Sequence, residues 1–196
     1  GDHFLTKPAK KKGNFKVSRE EWLDLARKTL IQSGIDAVKV ERLANKLDVT
    51  RGGFYWFFKS RQELLDALLD DWKVANTRPF FDAVEKAGPD GKDQLGAIVS
   101  MYLQEKEFNP AYDSAIRYWA RTSQSARRAV EEADDSRIGL LTDVFKRMGY
   151  EPEEAFIRAR VAYFHQVGYY AMGVKEDKKI RQHYMPLYTK ILTGKT

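Results

Sequence analysis

The chain has 196 residues, of which 43% are hydrophobic and 32% are charged, and this balance is typical of a soluble globular protein rather than a disordered one. It contains no cysteine, which excludes disulfide bonds, thiolate metal sites and cysteine nucleophiles. No run of 18 apolar residues is present, so we expect no transmembrane helix, and the length allows one large domain or two small ones.

The net charge of +6 is unevenly distributed along the chain. Residues 1–61 contain 14 Lys and Arg against 7 Asp and Glu, whereas the remainder contains 20 against 21. The whole positive excess therefore lies in the first third, which favours an N-terminal end that binds a polyanion. The alternative from charge alone is a solvated basic tail.

Residues 1–17 are predicted to form a flexible basic arm, because residues 7–16 include five lysines, a proline and a glycine. No apolar stretch follows these lysines, so the arm does not have the pattern of a secretory signal and we expect a cytoplasmic protein. Ser18 and Glu21 have the spacing of a capping box that begins the first helix. Gly34 is placed to end that helix.

A helix–turn–helix pattern follows. Residues 40–47 are predicted to be helical, and Asp48 occupies the turn, where a short polar residue tolerates a left-handed backbone. Thr50 is a good N-cap for a second helix that extends to about position 58. Ser60 and Glu63 form another capping box, which begins a longer helix to about position 76. This arrangement can place one helix end in a DNA groove.

The rest of the chain is also predicted to be helical. Residues 77–79 mark a kink or break, since a proline at position 79 cannot continue a helix. No strand pattern or internal repeat is visible, so the expected fold class is all-α with about nine helices. A three-helix DNA-binding domain is expected over 18–62 and a helical ligand-binding and dimerisation domain over 63–196. The further helices are predicted at 93–106, 111–121, 125–148, 153–172 and 177–192, the last disturbed at Pro186.

The second helix of the pattern begins with residue types suited to reading bases. Arg51 carries a fork of donors that matches the O6 and N7 acceptors of guanine. Gly52 and Gly53 each cost a helix about 1 kcal/mol relative to alanine. This cost suggests a close approach of the backbone to DNA, although tight packing against another helix is an equally good explanation for Gly53.

Aromatic residues follow on the same helix. Phe54 and Phe58 take the inward positions, so Tyr55 and Trp56 are expected to point outward. Tyr55 can then donate its hydroxyl to a phosphate, and Trp56 can contact thymine methyl groups or a sugar edge. The alternative for both residues is ordinary packing in the core.

From Ser18 to about position 72 the chain resembles the DNA-binding domain of the TetR family of bacterial transcriptional regulators. The resemblance implies an all-helical, usually dimeric protein that represses transcription until a small ligand binds its C-terminal domain. The residues that carry the resemblance are Ala26, Leu30, Gly34, Leu43, Ala44, Val49, Thr50, Gly52, Tyr55, Phe58, Ser60, Glu63 and Leu64.

By this resemblance, Arg51, Gly52 and Gly53 form the base-reading end of the recognition helix, and Tyr55 contacts a phosphate. Arg61 stands where a lysine at the start of the fourth helix often contacts phosphate. The predicted DNA-binding residues are Lys39, Thr50, Arg51, Gly52, Gly53, Tyr55, Trp56, Lys59 and Arg61. The partner is a double-stranded, palindromic or pseudopalindromic operator, and the basic arm either enters its minor groove or follows its phosphates.

Four departures from the family pattern leave the operator sequence open. Lys39 stands where a threonine commonly caps the second helix, so a cap is lost and a charge suited to phosphate is gained. Asp48 replaces a frequent glycine in the turn, and Gly53 replaces a common serine or threonine. Trp56 stands where a histidine is common.

Residues 63–196 resemble the family only in their helical layout and are rich in aromatic side chains. An aromatic-lined cavity between helices is a plausible site for a small-molecule effector of apolar or aromatic type. The alternative is that most of these rings fill the core. The predicted effector-binding residues are Tyr102, Tyr118, Trp119, Phe164 and His165.

The last two helices are the predicted surface of a homodimer, because in the family these helices of two subunits form a four-helix bundle. Small residues suit close helix packing there, although packing inside one subunit is the alternative. They are Ala155, Ala159, Ala162 and Ala171.

Nothing in the sequence indicates an enzyme. The three histidines have no metal-ligand spacing, and phosphate-binding, nucleophile-elbow and dinucleotide-binding patterns are absent. We therefore expect no catalytic residue, no metal and no cofactor, and no association with a membrane.

The predicted function is that of a dimeric, sequence-specific transcriptional regulator, a repressor released from its operator by an effector. Two other classes of protein are the alternatives. A ligand-sequestering protein with a vestigial DNA-binding domain is disfavoured by the basic N-terminal third. A nucleic-acid-processing enzyme would need a carboxylate cluster for Mg²⁺ near that basic end, and Asp48 alone is not one.

Overall fold

The computed structural model describes residues 16–195, and every regular element within that range is helical. This confirms the predicted all-α class. The predicted basic arm, apart from its last two residues, lies outside the described residues. The ten α-helices of the described residues are α1 (Arg19–Ser33), α2 (Val40–Lys46), α3 (Arg51–Phe57), α4 (Arg61–Asn76), α5 (Arg78–Ala87), α6 (Gly91–Gln104), α7 (Pro110–Trp119), α8 (Gln124–Arg147), α9 (Pro152–Ala171) and α10 (Lys178–Thr193).

The chain divides into two compact units, the first ending at Leu69 and the second beginning at Asp70, so the boundary falls inside α4. The roles assigned from the sequence to residues 18–62 and 63–196 stay a prediction. None of the helices between residues 16 and 195 is long and apolar enough to cross a membrane.

Three aromatic side chains form the centre of the first unit. Trp22 of α1, Phe54 of α3 and Phe58 are fully buried. The Trp22 ring meets the Phe54 ring edge-on, with 5.4 Å between the ring centres. The Phe54 ring stacks on the Phe58 ring, with 5.2 Å between the ring centres. Burying a large apolar side chain stabilises a fold by about 1.5–3 kcal/mol. These contacts therefore anchor the short helix α3 against α1.

Both predicted capping boxes are present, one of them in altered form. The Ser18 hydroxyl accepts a hydrogen bond from the Glu21 N–H at 3.2 Å, and Glu21 accepts one from the Ser18 N–H at 2.6 Å. The Ser60 hydroxyl likewise accepts from the Glu63 N–H at 3.2 Å, but Glu63 accepts from the N–H of Lys59, not of Ser60. Each box satisfies two backbone donors at the start of a helix.

The caps of α2 and α3 lack side-chain hydrogen bonds. Lys39 precedes α2 without capping it, as the sequence predicts for a lysine at this position. Thr50 occupies the N-cap position of α3, but its side chain makes no capping hydrogen bond, so the capping role predicted for it is wrong. The first turn of α3 therefore keeps N–H groups that another acceptor can reach.

Helix α5 was not predicted as a separate helix, and two other details of the second unit differ from the predicted helices. Helix α6 begins at Gly91 and not at position 93, because Asp90 is its N-cap and accepts a hydrogen bond from the Asp93 N–H at 3.1 Å. Helix α10 is continuous through Pro186, which removes one backbone donor without ending the helix.

The second unit has an apolar core, with a buried ion pair on the neighbouring helices. Asp113 of α7 accepts hydrogen bonds from both terminal nitrogens of Arg137 of α8, at 2.7 and 3.1 Å. It also accepts 2.7 Å hydrogen bonds from the Trp72 indole and the Asn76 amide of α4. Burial alone would lower the pKa of Arg137, but the facing carboxylate raises it above its ordinary value. The C-terminal turns of α4 are thus attached to α7 and α8.

We expect Asp113→Ala to destabilise the second unit by about 3–5 kcal/mol, because it leaves the buried Arg137 guanidinium without a counter-charge. Urea unfolding followed by tryptophan fluorescence measures the loss. Glu154→Ala is the control, since Glu154 pairs with Arg158 on the surface and should cost less than about 1 kcal/mol. Equal losses in the two variants would contradict a structural role for the buried pair.

Candidate nucleic-acid interface

The turn between α2 and α3 is held by the backbone. The Asp48 backbone is left-handed at φ 55°, as predicted, and this turns the chain between α2 and α3. The Val49 N–H then donates to the Ala44 carbonyl at 3.0 Å. The turn therefore fixes where α3 starts.

The outer face of α3 is the part of this unit best suited to meet a ligand. Tyr55 is 51% exposed and Trp56 is 47% exposed, whereas Phe54 and the following Phe58 are fully buried. This confirms the predicted division of the four rings between the two faces. Arg51 is exposed on the same short helix. A cation, a phenol and an indole thus project from one helix of seven residues.

Gly52 lies beside these side chains and is not required by the packing of the unit. A Cβ added there would meet only the Thr50 hydroxyl oxygen, at an ordinary 3.7 Å. The residue is exposed and helical, so its absent side chain leaves the backbone open to close approach from outside. Gly53 is half-buried.

Three exposed cations lie near α3 along the chain, namely Lys39 before α2, Arg51 at the start of α3 and Lys59 after α3. None of the three has an ion-pair partner within the described part of the chain. Because they are not neutralised locally, they are suited to phosphate contacts.

Arg61 has a different environment from the other predicted DNA-binding cations. It is half-buried, its Nε donates to the Val38 carbonyl at 2.7 Å, and its Nη2 donates to the Ile35 carbonyl at 3.1 Å. These bonds attach the start of α4 to the segment between α1 and α2. Arg61 therefore has a structural task, and contact with phosphate stays a prediction.

The five predicted effector residues do not form a single cluster. Tyr102 and His165 both line a narrow cavity, and Tyr102 and Tyr118 both line a wider one. Trp119 is buried in the core, and Phe164 is 52% exposed with Arg160 over its ring. Burial lowers the pKa of His165, so its imidazole is favoured in the neutral form.

Sequence reasoning missed the polar residues of the wider cavity. Arg137 and Tyr163 line this cavity. The Tyr163 hydroxyl donates a hydrogen bond to Asp134, and Asp134 also accepts hydrogen bonds from both terminal nitrogens of Arg117. Burial raises the pKa of Tyr163 to about 12. These residues come from three helices that are distant in sequence, so no spacing pattern could have grouped them.

The first unit is thus a helix–turn–helix whose second helix, α3, exposes aromatic side chains and an arginine without an ion-pair partner in the described part of the chain. These features are typical of DNA-binding proteins. Its sequence matches the family described as bacterial regulatory proteins, tetR family, over residues 23–68. Over these residues the chain is similar to the TetR family of transcriptional regulators, as the sequence predicts. The match supports the helix–turn–helix DNA-binding domain that the sequence predicts in this region.

One sequence relative and two solved structures illustrate the similarity. The class D tetracycline repressor of Escherichia coli is 38% identical over 53 residues, which are 27% of this chain and 24% of that protein. The chain therefore matches about a quarter of the length of that relative.

The structural similarity covers nearly the whole chain. The reduced form of NemR from E. coli has a TM-score of 0.66 at 19% identity, covering 87% of this chain and 92% of that one. The ketosteroid transcriptional regulator KstR2 of Mycobacterium tuberculosis has a TM-score of 0.63 at 21% identity, covering 92% and 95%. At such identities the similarity shows a shared fold.

We expect Gly52→Ala to separate stability from DNA binding. Alanine should stabilise α3 by up to about 1 kcal/mol, since its methyl group fits the space, yet it should weaken DNA binding by obstructing close approach. Thermal unfolding and fluorescence anisotropy with operator DNA measure the two effects. Gly96→Ala is the matched control, because Gly96 is likewise an exposed helical glycine, but it lies on α6, where an added Cβ would meet nothing within 4 Å. Unchanged DNA affinity in the Gly52 variant would contradict the assigned contact.

Proposed function

We propose that the protein is a dimeric, sequence-specific DNA-binding regulator, a repressor that leaves its operator when a small molecule binds the second unit. The main support is the outer face of α3, where Arg51, Tyr55 and Trp56 are exposed around Gly52. In helix–turn–helix proteins the N-terminal residues of the second helix meet base edges in the major groove. The family match over residues 23–68 supports the same assignment.

Each exposed residue has a distinct task in this proposal. Arg51 reads guanine through two hydrogen bonds, and Tyr55 donates its hydroxyl to a phosphate. Trp56 contacts thymine methyl groups or a sugar edge. Lys39 and Lys59 bind phosphates, so the affinity should fall steeply as salt concentration rises.

An exposed apolar stripe on α10 supports the homodimer. Ile180, Tyr184, Leu187 and Ile191 are 42%, 45%, 57% and 69% exposed. Their spacing places them on one face of the helix. Exposed apolar residues grouped in this way mark interaction surfaces. A second copy of the chain is the partner we propose, through α9 and α10 of each subunit.

The second unit supplies space for an effector and a physical link to α4. The wider cavity has a volume of about 530 Å³, within the usual range for small-molecule sites. Arg137 lines this cavity and shares the Asp113 carboxylate with Trp72 and Asn76 of α4. A ligand that favours another arrangement of these groups would change the position of α4 and so shift the equilibrium between two conformations.

We expect the protein to bind DNA flanking its own gene in a gel-shift assay, with sequence-specific affinity that decreases at higher salt. Arg51→Ala should weaken binding by about 1–3 kcal/mol and relax the preference for one base pair. Tyr55→Phe should weaken binding to all sequences alike. Arg128→Ala on α8 removes a comparable exposed charge and should have no effect.

The proposed function would be overturned if the protein showed no salt-sensitive, sequence-specific binding either to the DNA flanking its gene or in an unbiased selection of operators. If instead the protein bound a ligand tightly while Arg51→Ala and Tyr55→Phe left its biological effect unchanged, a ligand-sequestering role would replace it.

The dimer is tested by Leu187→Glu. This change places a charge in the exposed stripe of α10 and should convert the dimer to monomer in sedimentation velocity, because an unpaired charge is costly to bury. Gln182→Glu is the control, since it adds the same charge to an exposed position of α10 outside the stripe. A wild-type protein that sediments as a monomer, or two variants that behave alike, would contradict this interface.

A further inference from the structure

Two cavities of the second unit meet at a shared polar wall. The narrow cavity, of about 80 Å³, is enclosed by α6, α8, α9 and α10, whereas the wider one opens beside α7. Tyr102, Tyr163 and Gln166 line both cavities. The two cavities therefore adjoin at these three side chains, and a ligand in the wider cavity would lie next to the narrow one.

The amide of Gln166 lacks a partner at this junction. Its Nε2 atom is buried, and no acceptor from residues 16–195 lies within hydrogen-bond distance. Burial raises the pKa of the adjacent Tyr170 to about 12, and an interaction with the Gln166 side chain opposes part of that increase, but this interaction does not have the geometry of a hydrogen bond. A buried donor that is left unpaired costs roughly 1–3 kcal/mol. An oxygen atom brought by a ligand would remove this cost.

Tyr102 offers a second donor on the same wall. Burial raises the pKa of its hydroxyl well above the ordinary value, although the positive charge of Arg137 acts in the opposite direction. The hydroxyl therefore keeps its proton over the whole physiological range and can donate a hydrogen bond.

The charges lining the wider cavity are predominantly positive. Arg137 is paired with Asp113, and Arg117 is paired with Asp134. Arg121 also lines the cavity, with its guanidinium 5.5 Å from the centre of the Tyr118 ring, and no carboxylate of the described chain forms an ion pair with it. An anionic group is consequently favoured on this side of the junction.

The narrow cavity has the opposite character. Its walls are mainly aliphatic and aromatic, and His165 there is favoured in its neutral form by burial. A slender hydrocarbon chain suits such walls and a charged group does not. The apolar residues of the wall include Leu95, Ile98, Leu141, Phe145, Met185 and Leu192.

We propose that the effector is an amphipathic monocarboxylate, whose carboxylate accepts hydrogen bonds from Gln166 and is attracted by Arg121 while its apolar tail enters the narrow cavity. This inference rests on the proposed function, since it names the chemical class of the ligand that the regulator senses. The orphan amide donor and the unpaired guanidinium select the carboxylate, and the apolar walls select the tail.

Isothermal titration calorimetry on the full chain without DNA tests this directly. Decanoate, decan-1-ol and decyltrimethylammonium share one tail and differ in charge. We expect decanoate to bind about tenfold or more tightly than the alcohol, and the cation to bind most weakly. Equal or tighter binding of the alcohol or the cation would overturn the proposal, as would absence of decanoate binding.

Variants locate the binding site. Gln166→Leu and Arg121→Gln should each weaken decanoate binding about tenfold or more, while binding of decan-1-ol changes little. Arg121 is exposed, so its replacement leaves the core intact even if the Gln166 variant fails to fold. Arg128→Gln is the control, an exposed arginine of α8 outside both cavities. Unchanged decanoate affinity in the Arg121 variant would overturn the assigned head-group site.

DNA binding by the ligand-free protein is measured in parallel. If the protein binds its operator but not decanoate, only the inference about the effector fails. If it binds no DNA in any assay while decanoate binds as expected, the proposed regulatory function fails and the carboxylate site remains.

Discussion

The burial of Phe54 and Phe58 is the constraint on which the proposed DNA-binding surface depends. Both rings are fully buried, and Phe54 packs edge-on against Trp22 at 5.4 Å. Because consecutive helical residues are rotated by about 100°, burying Phe54 directs Tyr55 and Trp56 toward the exterior. The same packing compensates for a short helix that begins with Arg-Gly-Gly and lacks a side-chain cap. The buried face of α3 therefore supplies stability, and the opposite face is the one proposed to contact DNA.

A second constraint operates in the other unit, where one carboxylate organises three helices. Asp113 is bonded to Arg137 of α8 and to Trp72 and Asn76 of α4. Buried polar networks of this kind are sensitive to small displacements, since each lost bond leaves an unpaired group in a poorly solvated place. Arg137 also lines the wider cavity. A ligand there would act on the same group that holds the end of α4, which is what the proposed response to an effector requires.

Local features were predictable from the sequence because they depend on neighbours along the chain. The capping box at Ser18, the left-handed Asp48 and the inward position of Phe54 all follow from spacing and residue type. The effector site was not predictable in this way. Gln166 lies on α9 and Arg121 lies in the turn after α7, and only the packing of these elements brings them to the same cavity. The hydrogen bonds of Arg61 to distant carbonyls were missed for the same reason.

The central claim is that two copies of α3 read a two-fold-related DNA site. Selection of bound sequences from a random duplex library, followed by footprinting, tests it most directly. The account predicts an enriched pseudopalindrome whose half-sites are centred about one helical turn, or a multiple of it, apart. It also predicts that Arg51→Ala alters the preferred base symmetrically in both half-sites. An enriched site without two-fold symmetry, or no enrichment at all, would contradict the account.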